Sequence, residues 1–229
     1  MNKLSVPDYL GHRKRIKEKY IAGGLNSWLD YEVLEFALSF AIPRKDTKPI
    51  AKELLSTFKT LNGVLDARRE DLIKIEGISE HTVLFLKFLK DIAIRYMEMG
   101  LYNKNLLSSP DAVYDYLKAS LKGVCDEEFR AVFLNNRNGL LAVETIHKGT
   151  VNKSVVYPRT VVERALYNHA ASVIIAHNHP GESLLPSQDD CRTTKLISIA
   201  LKTVDIVLLD HVIIGGNNYF SFKENGIEL

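Results

Sequence analysis

Hydrophobic positions recur at helical spacing through the first hundred residues of the chain. In four segments apolar side chains fall near every third or fourth position, and turn residues such as Gly23, Gly24 and Pro43 lie between the segments. This pattern predicts four helices and no strand, with the helices covering 8–21, 30–42, 47–58 and 81–97. We therefore expect an all-helical module over 1–100.

The pattern changes after a stretch rich in Asn, Ser and Pro, where we place a linker at 101–110. Beyond it, apolar runs of strand length alternate with helical segments. Strands are predicted at 127–135, 140–146, near 155–157, at 171–177, 204–214 and 219–222, and helices at 110–121, 158–171 and from about 187 onward. The expected fold class is therefore α/β of the α+β kind, a helical module followed by a mixed-sheet domain over 111–229.

The composition is typical of a folded globular chain. Apolar residues make up 46% of the sequence and charged residues 25%, which gives disorder no support. There are two cysteines, no signal-peptide pattern at the N-terminus and no apolar run long enough to span a bilayer. We expect a cytoplasmic, reducing setting with free thiols and no membrane association.

Basic residues cluster at the start of the chain, although the net charge of +2 does not by itself indicate a nucleic-acid partner. The first twenty positions contain two acidic residues, Asp8 and Glu18, and six basic ones. The basic residues are Lys3, Arg13, Lys14, Arg15, Lys17 and Lys19. A basic first helix is a modest indication of an anionic partner. A solvated helix face is the commoner explanation.

Two histidines, His177 and His179, stand one residue apart at the end of an apolar run. Side chains alternate with period two along a strand, so both imidazoles lie on one face and can reach one ion. Asp190, eleven positions after the second histidine, supplies a third ligand. Three protein ligands leave a tetrahedral zinc one open position for water, as in catalytic sites. We expect zinc, although two histidines and a carboxylate also suit iron(II).

A hydrolytic zinc site also needs a carboxylate that accepts a proton from the attacking water. Spacing and composition leave four candidates open: Glu127, Glu128, Glu144 and Glu163.

Ser187 and Asp190 also fit the Ser-x-x-Asp pattern of a helix start, where the serine caps the helix and the acidic residue favours its positive end. Capping is compatible with metal binding, because a capped helix delivers Asp190 rigidly.

The chain resembles the JAMM (MPN-type) metalloproteases and, among them, the RadC family. The signature is the His-Asn-His-Pro segment at 177–180, followed by Ser187 and Asp190 in the spacing Ser-x-x-Asp. Other matching segments extend over nearly the whole chain, at 12–13, 76–78, 127–130, 149–150, 157–159, 210–215 and 221–222. The resemblance implies a JAMM/MPN-like domain with a mixed sheet of the cytidine-deaminase-like kind.

The resemblance also implies a role for each site residue. His177, His179 and Asp190 would be the zinc ligands. Glu127 would be the general acid/base, and Ser187 would hydrogen-bond the developing oxyanion. The implied function is a zinc-dependent hydrolase that cleaves peptide or isopeptide bonds in a peptide or protein substrate.

The segment 73–79 resembles the hairpin of a helix-hairpin-helix DNA-binding element. In that element two glycines let backbone N–H groups approach a phosphate closely. Here Gly77 is present but Ser79 stands at the second glycine position, and Glu76 and Glu80 make the hairpin acidic. A turn that only packs the module is an equally good interpretation. The alternative function is a DNA-associated, repair-linked protein that binds DNA weakly through the helical module and has a structural or vestigial metal domain.

His211 has two interpretations. It follows Asp210 beside an apolar run, so it could orient a ligating histidine, but a core histidine with satisfied hydrogen bonds is commoner. The loop 181–185 departs from the family pattern, and we expect it to border the substrate groove.

Overall fold

The computed structural model describes residues 8–102, 106, 110–149 and 156–229. The chain divides between Ile92 and Ala93 into two compact units. The predicted linker falls largely on 103–105 and 107–109, and Thr150 of the family resemblance also lies outside the described residues. The bounds 1–100 and 111–229 for the two domains stay a prediction.

Six helices begin in the described part of the first unit. They are α1 (Asp8–Gly23), α2 (Asp30–Ala41), α3 (Lys48–Phe58), α4 (Leu61–Asp66), α5 (Arg69–Leu72) and α6 (Glu80–Met99). The four long ones correspond to the predicted helices. The short α4 and α5 were not predicted, because one turn or two show too little periodicity to be recognised. Nowhere in the described part of the chain is a helix long and apolar enough to cross a membrane.

The core of the first unit lies between the apolar faces of α2, α3 and α6. Leu38, Leu54 and Leu86, one from each helix, are completely buried there. Burying a leucine side chain contributes roughly 1.5–3 kcal/mol, so these contacts rather than helix propensity stabilise the unit.

Arg13 ties α1 to the end of α2. Its guanidinium donates to the backbone carbonyl oxygens of Ser39, Ile42, Pro43 and Lys45. The last carbonyls of a helix have no partner inside the helix, and a cation at that end is favourable. Arg13 therefore has a structural role. We do not count it among the basic residues of the first helix that an anionic partner could contact.

The turn between α5 and α6 packs against α3. Gly77 has φ of 86°, in the left-handed region that favours glycine. A Cβ built on Gly77 would lie 2.8 Å from Cδ1 of Ile50. Ser79 Oγ accepts a hydrogen bond from the backbone N–H of Thr82 at 3.3 Å. These contacts account for a packing role of the hairpin, and its DNA contact stays a prediction.

In its described residues the second unit is a five-stranded mixed sheet with helices on both faces. Its strands are β1 (Glu128–Leu134), β2 (Leu140–Lys148), β3 (Ser172–Asn178), β4 (Val207–Gly215) and β5 (Asn218–Ser221), and its helices are α7 (Pro110–Leu121), α8 (Pro158–Tyr167) and α9 (Gln188–Lys202). The strand order is β2-β1-β3-β4-β5, with only β3 and β4 parallel. A parallel pair needs a crossover connection, which α9 provides. The predicted α+β fold class is confirmed.

Strand residues alternate between two cores on opposite faces of the sheet. Val132 and Ile174 face the core that contains α7. Phe133 and Ile175 face the core that contains α8 and α9. His177 lies two positions beyond Ile175 and therefore belongs to the α8–α9 face.

The strand predicted near 155–157 is wrong where the structure describes it. Val156 and Tyr157 have no strand pairing and directly precede α8, while Val155 lies outside the described residues. Val156 is apolar because it is buried in the α8–α9 core. The helix that follows ends at Tyr167 rather than at 171, since His169 has φ of 53° and cannot continue it.

Candidate metal centre

The three predicted ligands come together where β3 ends and α9 begins. His177 is in β3, His179 follows the strand, and Asp190 lies in the first turn of α9. One ligand atom from each side chain lies within 4.8 Å of the other two. The two Nε2 atoms are 2.8 Å apart. Carboxylate oxygens of Asp190 lie 3.4 Å from His177 Nε2 and 3.6 Å from His179 Nε2.

The loop after β3 orients His179. Its Nδ1 donates to the carbonyl oxygen of Ser183 at 2.8 Å. A carbonyl oxygen can only accept, so a neutral His179 keeps its lone pair on Nε2. The backbone N–H of His179 donates to the carbonyl oxygen of Ile214 at 2.8 Å, which fixes the loop to β4. The ligand atom thus faces Asp190 and His177.

Ser187 and Asp190 form the predicted cap of α9. Ser187 Oγ accepts from the backbone N–H of Asp190 at 3.0 Å, and Asp190 Oδ2 accepts from both the backbone N–H and the hydroxyl of Ser187 at 2.7 Å. Oδ2 is therefore held by the cap, while Oδ1 lies toward His177. The direct contact of Ser187 is with the carboxylate of Asp190, and its action on an oxyanion stays a prediction.

The protonation states of the cluster suit a cation. Burial lowers the pKa of His177 to about 4, which leaves its imidazole neutral near pH 7. The contact with the Asp190 carboxylate raises the pKa of His179, so a proton and a metal ion compete for its Nε2. Burial acts to raise the pKa of Asp190, but the contact with His179, the proximity of His177 and the hydrogen bonds from Ser187 hold it well below its usual range. An ionised carboxylate therefore faces two imidazole nitrogens.

The donor set fits zinc in number and kind. Two imidazole nitrogens and one carboxylate oxygen are ligands that zinc takes in catalytic sites. No second cluster of three or more His, Cys, Asp or Glu side chains with this spacing occurs in the described residues. The cluster at 177, 179 and 190 is thus the candidate metal centre of the chain.

From the alternation of β1 we infer that Glu127, the residue before the strand, lies on the same face of the sheet as the histidines. Phe129 pairs directly with His177 in the antiparallel register of β1 and β3, and their rings stack with 6.0 Å between centroids. Because side chains alternate, Glu127 lies on the face of Phe129, and Glu128 on the opposite face. After the larger effect of Asp190, the charge of Glu127 also helps to raise the pKa of His179. Glu127 is therefore within electrostatic range of a ligand.

The other three candidate carboxylates have different surroundings. Glu128 is buried and forms an ion pair with Lys148 at 2.7 Å. Glu144 accepts two hydrogen bonds from Arg164, at 2.6 and 2.8 Å. Glu163 is an exposed residue of α8. These contacts favour Glu127 as the base over its three competitors.

Of the two residues behind His177, the sequence suggests His211 as a possible partner of a ligand, with a core histidine as the commoner interpretation. His211 is completely buried, with Nε2 2.8 Å from His177 Nδ1 and Nδ1 2.5 Å from Thr194 Oγ1. His211 is therefore a direct partner of a predicted ligand as well as a core residue. Thr194 was missed altogether. Its position four residues after Asp190 places both on one side of α9 and is the signal that could have found it.

Gly215 allows the loop after β3 to approach β4, and we expect Gly215→Ala to weaken zinc binding about tenfold. A Cβ built on Gly215 would lie 2.7 Å from the carbonyl oxygen of Glu182 and 3.0 Å from that of Ser183. The second of these oxygens orients His179, so its displacement should tilt the imidazole. Competition with a chelating dye measures the affinity.

Gly181→Ala is the matched control, since a Cβ on Gly181 in the same loop meets no atom within 4 Å. It should bind zinc as the wild type does. Equal zinc affinities of the two variants would exclude the role of Gly215.

Comparison with known proteins assigns the second unit to a class. The family model described as RadC-like JAB domain matches residues 107–227. The chain therefore carries a JAB domain and belongs to the RadC family, as its sequence resemblance predicts.

Similarity to relatives extends over the helical module as well. UPF0758 protein FN0909 of Fusobacterium nucleatum is 38% identical over 98% of this chain and 100% of its own length. UPF0758 protein SPO0054 of Ruegeria pomeroyi is 39% identical over 96% of this chain and 99% of its own length. UPF0758 protein PSHAa2643 of Pseudoalteromonas translucida is 37% identical over 95% of this chain and 97% of its own length. Both units are thus shared with these relatives.

Proposed function

We propose that this chain is a zinc-dependent hydrolase of peptide or isopeptide bonds. The observation that carries the proposal is the convergence of His177, His179 and Asp190 at the end of β3, with Glu127 on the same face of the sheet. Membership of the RadC family supports a JAB-type reaction. In this proposal His177 Nε2, His179 Nε2 and a carboxylate oxygen of Asp190 hold the ion. When bound, zinc lowers the pKa of a water molecule toward neutrality and polarises the substrate carbonyl.

Glu127 would carry the proton through the reaction. Its carboxylate accepts a proton as the water oxygen bonds to the carbonyl carbon, and then gives that proton to the nitrogen as the C–N bond breaks. The products are a carboxylic acid group and a free amine, with no other reactant consumed. The half-buried position of Glu127 before β1 suits this role, because its carboxylate is near enough to His179 to act on it electrostatically and is partly exposed to solvent.

Ser187 would donate its hydroxyl hydrogen to the developing oxyanion. In the structure that hydrogen goes to Asp190 Oδ2 at 2.7 Å. The hydroxyl therefore has to rotate about its Cβ–Oγ bond when the tetrahedral carbon forms. The backbone N–H of Ser187 continues to hold Oδ2 during that rotation, so Asp190 keeps its place.

The test is a hydrolysis assay with the full-length chain, either loaded with zinc or stripped by a chelator. A panel of peptide and isopeptide-linked substrates with fluorescent reporters covers both bond classes. We expect turnover with zinc and none after stripping. Absence of turnover across the panel with the zinc-loaded chain, or equal turnover after stripping, would contradict the proposal.

Weak DNA binding is a second candidate function, favoured by the exposed positions of Lys14, Arg15 and Lys17 on α1. Contacts between basic side chains and phosphates are sequence-independent and weaken steeply with salt. We expect the triple reversal of these residues to Glu to lower DNA affinity at least about tenfold, since it replaces attraction with repulsion. Fluorescence anisotropy with a labelled duplex at low and at physiological salt measures the change.

The matched control reverses three exposed lysines of the second unit, Lys195, Lys202 and Lys223. It changes the net charge equally and should leave the affinity nearly unchanged. An unchanged affinity in the α1 variant would remove the proposal of DNA binding through α1.

A further inference from the structure

A row of buried hydrogen bonds runs from His177 back to Asp190. His177 Nδ1 lies 2.8 Å from His211 Nε2, and His211 Nδ1 lies 2.5 Å from Thr194 Oγ1. Thr194 Oγ1 in turn lies 2.6 Å from the backbone carbonyl oxygen of Asp190. His211 is 0% exposed and Thr194 1%, so solvent does not take part.

The carbonyl end of this row fixes every hydrogen in it. A carbonyl oxygen only accepts, so the single hydroxyl hydrogen of Thr194 points to Asp190 O. Thr194 Oγ1 can then only accept from His211, which therefore carries a hydrogen on Nδ1. The two ring nitrogens of His211 contact a hydroxyl and an imidazole, and a fully buried imidazolium without a carboxylate partner is costly. His211 is thus neutral, and its bare Nε2 accepts from His177 Nδ1.

The consequence for His177 is a defined tautomer. With its hydrogen on Nδ1, a neutral His177 carries a lone pair on Nε2, the atom that faces Asp190 and His179. The opposite direction of the row would place a hydrogen on His177 Nε2 and block ligation. It would also leave Thr194 Oγ1 and the Asp190 carbonyl oxygen in contact with no hydrogen between them.

We infer that His211 and Thr194 are positioning residues that select the metal-binding tautomer of His177. The inference rests on the metal site of the proposed function but not on the hydrolytic reaction. Asp190 takes part twice, with its side chain as a ligand and its backbone carbonyl as the end of the row. Two ligands on different elements, β3 and α9, are therefore linked through β4.

The surroundings of His211 hold its ring in place. Phe222 stacks on it with 4.7 Å between ring centroids, and the backbone N–H of His211 donates to Asp210 Oδ1 at 2.8 Å. Asp210 is itself anchored by the hydroxyls of Tyr114 and Ser221, at 2.9 and 2.6 Å. Ligating histidines commonly donate to a carboxylate, a carbonyl or water. A neutral imidazole acceptor adds no negative charge, so Asp190 would remain the only anionic ligand of the ion.

The tautomers can be read directly in the metal-free wild-type chain. Long-range ¹H–¹⁵N correlation spectra of protein labelled at histidine show which ring nitrogen carries the hydrogen. We expect Nδ1–H and a bare Nε2 for His211, and a hydrogen on Nδ1 of His177. A hydrogen on Nε2 of a neutral His211 would overturn the inference. The spectra need neither metal nor substrate, so a failed hydrolysis assay leaves this test unaffected.

Zinc affinity supplies the second test. Thr194→Val keeps the side-chain shape and removes the hydroxyl, and we expect its zinc Kd to rise by about 10- to 100-fold. Thr194→Ser should restore the wild-type affinity. Thr203→Val is the matched control, because Thr203, directly after the far end of α9, also donates its hydroxyl to a backbone carbonyl oxygen, that of Ala200 at 2.6 Å. Equal zinc affinities of Thr194→Val and Thr203→Val would overturn the inference.

Discussion

We expect Glu127→Gln to keep the bound zinc and to lower kcat/KM for hydrolysis by about a thousandfold, within the range that general acid–base catalysis contributes. An amide has nearly the volume of a carboxylate but cannot accept the proton of the attacking water. Glu127 is not among the three clustered ligands, so the metal content should not change. A hydrolysis assay and elemental analysis on the same preparation measure both effects.

Glu128→Gln is the matched control for that experiment. It makes the same chemical change one residue along the chain, but on the opposite face of the sheet, where Glu128 forms an ion pair with Lys148 at 2.7 Å. Its hydrolytic activity should stay close to that of the wild type. Full activity in Glu127→Gln would assign the base to another carboxylate and contradict the proposed mechanism.

We expect Asp190→Ala to raise the zinc Kd by more than about a hundredfold, because removing a ligand should cost more than the roughly 10- to 100-fold that is typical for removing a residue that only orients a ligand. It removes the anionic ligand and leaves two imidazoles. The variant also loses the capping contact with Ser187, which is worth roughly 1 kcal/mol. That loss is small against a domain stability of about 5–15 kcal/mol, so the fold should persist. Chelator competition and circular dichroism measure the affinity and the fold.

Asp189→Ala controls for the charge at the start of α9. Its carboxylate is 84% exposed and pairs with Arg192 at 3.1 Å, so the variant loses the same charge without losing a ligand. It should bind zinc like the wild type. A similar loss of affinity in both variants would attribute the effect to charge at the helix end rather than to ligation.

Local rules were enough to predict how the ligands are presented. Strand periodicity places His177 and His179 on one face, and the Ser-x-x-Asp pattern predicts the capped start of α9. Both depend on neighbours within a few residues, and the structure shows the strand and the cap where they were expected. The three ligand atoms lie within 4.8 Å of one another. They meet because α9, which connects the parallel strands β3 and β4, begins close to the end of β3.

The remaining features depend on contacts between distant parts of the chain. The face that holds Glu127 rather than Glu128 is set by the pairing of β1 with β3, which the sequence does not show. The contacts of His211 with His177 and Thr194 span 34 and 17 residues. A histidine beside an apolar run has the same sequence pattern whether it packs in a core or orients a ligand. Its role becomes visible only through its ring contacts.

The most direct test of the metal site is the metal content of the full chain purified without added metal, measured by elemental analysis beside His177→Ala. We predict about one zinc per wild-type chain, as expected for a mononuclear site, and little or none in the variant. Wild-type protein that holds no metal even after supplementation with zinc, or equal zinc in the two proteins, would contradict the account.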